Sequence, residues 1–196
     1  MNGLNYSRVK PDLQYNQNTF LVCLASGGGI LGGHAIITVE GLLADGTLFE
    51  RVCDITAGPA PDEKPSPLQD SFGNQQGVIT KIRLYSGFQA GVDYTGLNSN
   101  SWYTTSAKVM KLVASIEAKK QELEDSLAAN KPSPFKYQTA GSRRWFGFGG
   151  NGGDNCLTWT QRELIQANIL TEGEAVKVID IVKAPPNLHI SGQHHP

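Results

Sequence analysis

Residues 149 to 168 read GGNGGDNCLTWTQRELIQAN, a glycine-rich run that ends in Asp154-Asn155-Cys156 and opens into a helical pattern. Asparagine is among the strongest helix N-caps, because its side-chain oxygen accepts a first-turn N–H, so Asn155 sets Cys156 at the first helical position. The positive end of a helix dipole favours the thiolate, which is the reactive form of cysteine. The same N–H groups can stabilise the oxyanion that forms when a thiolate attacks a carbonyl, which is the demand of acyl transfer. Gly153 and the glycines before it would let a substrate backbone come close, with Asn155 and Trp159 beside it. A cysteine in a helix is more often a small buried hydrophobe, and a glycine run more often a plain loop, so a nucleophile also needs a base.

That base would have to be positioned by strands. His34 opens HAIITVE, a β-branched run read as a strand, and Asp45-Gly46 signals a hairpin back into TLFERVCDI. A turn centred near Asp45 puts His34, Ile36, Thr38 and Glu40 on one face with Asp54, Val52 and Glu50, since alternate residues share a face. Asp54 would then stand diagonal to His34 and could orient its imidazole, with Glu50 the second choice. A slip of one residue would reverse this.

The remaining elements follow from periodicity. Thr19 to Ala25 reads as a buried strand and Gly77 to Ser86 as a half-buried one whose Val78, Thr80, Ile82 and Leu84 alternate with Ile79, Lys81, Arg83 and Tyr85. Gly58 to Gln75 and Gly87 to Ser101 read as loops. Thr104 to Ala128 is a one-faced helix, with Val109, Leu112, Val113, Ile116, Leu123 and Leu127 recurring mostly at three and four, and Pro132 and Pro134 ending it. Tyr137 belongs to an aromatic cluster ahead of the glycine run and is read as core or as the wall of a substrate pocket. Glu174 to Val182 reads as a strand. The polar ends, residues 1–17 and 187–196, are expected to be mobile, and His189, His194 and His195 in the tail favour a disordered end over a metal site.

Composition bounds the function. A chain of 196 residues fits one domain, and a net charge of -1 gives no reason to expect a nucleic-acid partner. No apolar run approaches the ~18 residues of a transmembrane segment. The start, MNGLNYSRVKPDLQ, lacks an apolar signal core, so a chain that is cytoplasmic as synthesised is expected, with secretion by a signal-independent route still open. Cys23, Cys53 and Cys156 are three with no close spacing, which argues against a disulfide framework and a zinc site; no cofactor is called for.

The order of GGHAII, a hairpin, a further strand, a long amphipathic helix with KPSPFKY after it, and finally NCLTW resembles the circularly permuted papain-like cysteine hydrolases, including permuted NlpC-type amidases and lecithin-retinol acyltransferase-like proteins. The resemblance spans about Gly32 to Asn168. It implies an α+β fold, an antiparallel sheet packed with a long helix and a cysteine-bearing helix. It also implies Cys156 as nucleophile, His34 as general base and a polar third member on the following strand, where Asp54 or Glu50 could match. Long segments at Gly141 to Gly153 and between the second and third strands depart from the pattern. The implied chemistry is hydrolysis of an amide in a peptide, a protein or peptidoglycan, or a deamidation, through a thioester. Lipid or protein acyl transfer and a non-catalytic binding module are the rivals; a redox-sensor cysteine is disfavoured because no second cysteine lies nearby. By analogy alone, such a chain suits a bacterial toxin or effector, with an inhibitor or immunity protein as a further partner.

Overall fold

The Asp45-Gly46 hairpin sets the register of its neighbours. Asp45 Oδ1 accepts the Thr47 N–H at 2.9 Å, and Gly46 takes a left-handed φ of 83° that a side chain would resist. The Thr47 amide also holds the Asp45 carboxyl below its ordinary range. From this turn β2 (His34–Leu42) and β3 (Leu48–Pro59) run antiparallel, with Thr38 opposite Val52 and Glu40 opposite Glu50, the register expected of a turn at Asp45.

The computed structural model describes residues 19–27, 34–59, 76–87, 98–138 and 155–175. Around the hairpin lie β1 (Thr19–Gly27), β4 (Gln76–Tyr85), β5 (Asn98–Thr105) and β6 (Lys136–Gln138), giving one antiparallel sheet in the order β5-β1-β2-β3-β4-β6. Two helices complete the α+β architecture, α1 (Ser106–Ala128) and α2 (Cys156–Gln166). Among the described residues no helix is long and apolar enough to cross a membrane.

Strand alternation divides the sheet into two faces. Phe20, Val22, Leu24, Ile37, Cys53 and Ile55 form the face under the helices, meeting Leu112, Ile116 and Leu123 of α1 and Leu157, Trp159 and Leu164 of α2. Each such aliphatic or aromatic side chain contributes roughly 1.5–3 kcal/mol on burial. The other face carries Ala25, Ile36 and Val52 with Tyr85 against them. Residues 35 to 41 of β2 are all buried, so its run of β-branched residues is covered on both sides.

Three elements depart from the sequence reading. The alternation predicted for Gly77 to Ser86 changes phase, because the β3–β4 register shifts between Thr56 and Ala57 and Thr80 is the extra residue. The inward positions are therefore Ile79, Ile82 and Leu84, while Thr80 turns outward and its hydroxyl donates to Thr56 O at 3.2 Å. The loop predicted through Ser101 is instead β5 from Asn98, and the helix begins at Ser106 rather than Thr104. Polar residues conceal this strand, whose pairing with β1 is supplied by a distant part of the chain. Of the strand predicted from Glu174, residues 172–175 form a helical turn, in which Glu174 Oε2 accepts the Thr171 N–H at 2.8 Å and the Thr171 hydroxyl accepts the Glu174 N–H at 3.3 Å. The rest of that segment lies outside the described residues, as do residues 1–17 and 187–196.

Gly41 is where the core admits no side chain. It pairs with Phe20 on one side and Phe49 on the other, and the two rings meet over it edge to face at 5.7 Å between centroids. A Cβ at Gly41 would stand 2.5 Å from Phe20 Cδ1 and 2.9 Å from the Thr19 carbonyl. Gly41→Ala is expected to destabilise the chain by about 1–3 kcal/mol, as overpacked cores do, read as a lower midpoint in urea with an unchanged slope. An unchanged midpoint would mean that the aromatic pair is loose enough to yield.

Candidate functional site

Cys156 is the first residue of α2, as the asparagine cap requires. Asn155 is extended at φ -94° and ψ 176°; its side-chain oxygen accepts the Thr158 N–H at 2.8 Å, and its own N–H donates to the Thr158 hydroxyl at 2.9 Å. This reciprocal cap uses threonine where glutamate or glutamine is usual, which is why the sequence does not announce it. The Trp159 N–H bonds the Asn155 carbonyl at 2.9 Å, so the cap and the first helical bond start at one residue. Cys156 is half-buried, and its side chain packs against the core on the helix-covered face.

The helix that carries it is pinned from behind. Glu163, fully buried on α2, accepts from Lys119 of α1 through Oε1 at 2.5 Å and Oε2 at 2.7 Å, and from the Ser115 hydroxyl at 2.9 Å. Lys119 also donates to Gln166 Oε1 at 2.9 Å. Gln161 Nε2 donates to the Ala175 carbonyl at 2.9 Å, fixing the chain that follows the helix. With the apolar stripe of Leu157, Trp159 and Leu164 beneath, these bonds fix α2 over the sheet.

The three cysteines have different environments, and none is in a disulfide. Burial pushes the Cys23 thiol up to about 12; a hydrogen bond with Thr38 works against that rise and the charge of Glu40 adds to it. Burial raises Cys53 well above the ordinary thiol range, with the charges of Asp54 and Glu163 adding to the rise. Both are sealed thiols. Cys156 alone of the three has part of its surface in solvent.

The other expected site residues are placed as follows. His34 begins β2 with its backbone opposite Gly27, and its side chain lies outside the described residues. The even positions that follow, Ile36, Thr38 and Glu40, face away from the helices, whereas α2 packs on the side of Ile37 and Val39. Asp54 accepts from Arg83 Nε at 2.6 Å, and the other end of that guanidinium donates to the Thr56 hydroxyl at 2.8 Å. Arg83 was not legible as its partner, because the pairing comes from β4, beyond a long loop. Glu50 is half-buried opposite Glu40. Trp159, expected beside the substrate, is fully buried among the core residues. Tyr137 lies on β6 opposite Gly77 and packs on the same core, and Gly153 lies outside the described residues. Among the described residues no group of three or more His, Cys, Asp and Glu is placed to hold a metal ion.

Comparison of the chain with protein-family models, with curated protein sequences and with solved structures finds no match in any of the three.

Proposed function

We propose that the chain is a cysteine-dependent amide hydrolase of the permuted papain-like kind, with Cys156 as its nucleophile. The observation that carries the reading is the position of that thiol: first residue of a helix with a reciprocal N-cap, half-buried rather than sealed, on an element anchored by a buried ion pair. In the proposed reaction the Cys156 thiolate attacks the amide carbon, the C–N bond breaks, and the amine leaves with a proton from the base. Water then attacks the thioester, giving the acid and restoring the thiol. Backbone N–H groups at the start of α2 are the donors to the two oxyanions.

His34 is the proposed base. Its role requires the imidazole to reach the α2 side from the first residue of β2, although the even positions that follow, Ile36, Thr38 and Glu40, face away from α2. The third member, Asp54 or Glu50, stands on the sheet face of Ile36 and Val52, away from α2, and Asp54 would also have to share its carboxylate with Arg83.

Alkylation tests this directly. In iodoacetamide at neutral pH, Cys156 is expected to react more than about a hundredfold faster than Cys23 and Cys53, which label only through opening of the fold. Its apparent pKa is expected below the ordinary ~8.5, rising in His34→Ala and in Asn155→Ala, the latter also costing about 1 kcal/mol of stability through the lost cap. Turnover of an amide panel should vanish in Cys156→Ser. Slow labelling of Cys156, or indifference to His34, would sink the hydrolase and leave a binding module in its place.

A further inference from the structure

The far edge of the sheet offers a second, separate site. Strand β6 pairs with β4 only over Gln76 to Val78, and the Ile79 N–H reaches across the same edge to the Phe135 carbonyl at 2.9 Å. In an antiparallel strand the residues whose side chains share a face also direct their backbone groups to the same side. Ile82 and Leu84, on the helix face like Ile79, therefore aim their N–H and C=O outward, and among the described residues no strand pairs with them. The bulge at Thr80 lies just past the β6 pairing, and beyond it the edge has no strand partner among the described residues.

This edge runs beneath α1 and forms a groove of about 470 Å³. The helix contributes Leu123 and Leu127, the latter 46% exposed although it continues the apolar stripe. The side away from the helices carries Lys81, which is exposed, and Arg83. Lys120 on the rim is paired with Glu124 at 3.5 Å and Arg83 with Asp54 at 2.6 Å, so the cation left for a partner is the exposed Lys81, against which no carboxylate lies among the described residues.

We propose that the outer edge of β4 binds an extended peptide whose side chains alternate apolar and acidic. Added as a further strand, its backbone would bond Ile82 and Leu84. Its apolar side chains would enter the groove between those residues and Leu123 and Leu127, while its acidic ones, on the opposite face, would lie beside Lys81. Main-chain bonds supply affinity in this mode, and the alternating side chains supply choice. The site is distinct from the Cys156 chemistry and does not depend on it.

The probe is a fluorescein-labelled eight-residue peptide of alternating Val and Glu, titrated into the full chain and followed by anisotropy, beside a Val-Lys peptide and a Val-Glu peptide with alternate backbone nitrogens methylated. The expected result is saturable, salt-sensitive binding of the Val-Glu peptide alone. Lys81→Glu, an exposed change, is expected to weaken that peptide about tenfold and to admit the Val-Lys peptide, as reversal of one cross-strand charge should. Leu127→Asp should abolish both. The proposal is overturned if the Val-Glu peptide does not bind, if the methylated peptide binds equally, or if Lys81→Glu is without effect. It is equally overturned if the edge proves to be taken by a second copy of the chain, seen in sedimentation as self-association that Leu127→Asp removes.

Discussion

Lys119→Met should destabilise the chain by about 2–4 kcal/mol, because it takes from the fully buried Glu163 carboxylate its close cation and leaves only the part-exposed Arg162 guanidinium at 3.9 Å. The Ser115 hydroxyl, at 2.9 Å from Oε2, can satisfy one oxygen but not the charge. The second substitution reverses much of the first: in Lys119→Met with Glu163→Leu the pair is gone rather than broken, and apolar groups fill the space between α1, α2 and Cys53. Buried ion pairs replaced whole in this way are often neutral or better, so the double variant should recover most of the loss. Urea unfolding of the two single variants and the double, taken as a cycle, measures the coupling. A single-variant loss under about 1 kcal/mol would mean that water reaches Glu163 once the lysine is removed, and that α2 is held by its apolar stripe alone.

Trp159→Ala is the other large effect, expected at about 3–5 kcal/mol, since the ring is fully buried between α2 and the sheet and its removal opens a cavity that neighbouring strands cannot close. Trp159→Phe separates two contributions. Among the described residues the indole N–H has no acceptor, and an orphaned buried donor costs about 1–3 kcal/mol. Phenylalanine removes that cost while leaving a smaller void, so its loss should be a small fraction of the alanine loss. Equal losses in the two variants would show that the indole N–H gains a partner that phenylalanine cannot replace. Because Trp159 lies three residues after Cys156, the alanine variant is also expected to loosen the helix start and slow iodoacetamide labelling.

What was legible in the sequence was local chemistry. Asp45-Gly46 fixed a turn, the turn fixed the β2–β3 register, and the face shared by Thr38, Glu40, Glu50 and Val52 followed. Asn155 located the start of α2, and the spacing of Leu112, Ile116 and Leu123 located α1. What was hidden depends on partners distant in the chain. Strand β5 carries Asn98, Ser99, Asn100 and Ser101, residues typical of loops, and becomes a strand because β1 lies open beside it. Asp54 looked available for an imidazole because nothing local showed that Arg83 would come to lie opposite it. Trp159 looked placed beside a substrate because it follows a glycine loop, yet its position one turn into a helix with a single apolar stripe turns it to the core.

One junction has a kinetic reading. Strand β5 ends at Thr105 and α1 begins at Ser106, with no residue between them, and β5 is held by β1, Val22 standing opposite Trp102. The strands β1 to β4 follow one another as neighbours and can assemble as a meander, whereas the β1–β5 contact must close the long chain between them, a late and slow event. Since α1 continues from β5 without a hinge, docking of the helix on β4 and closing of that edge are expected to be coupled. Strand and helix therefore leave and rejoin the fold together, and their amide protons should exchange with solvent at one shared rate.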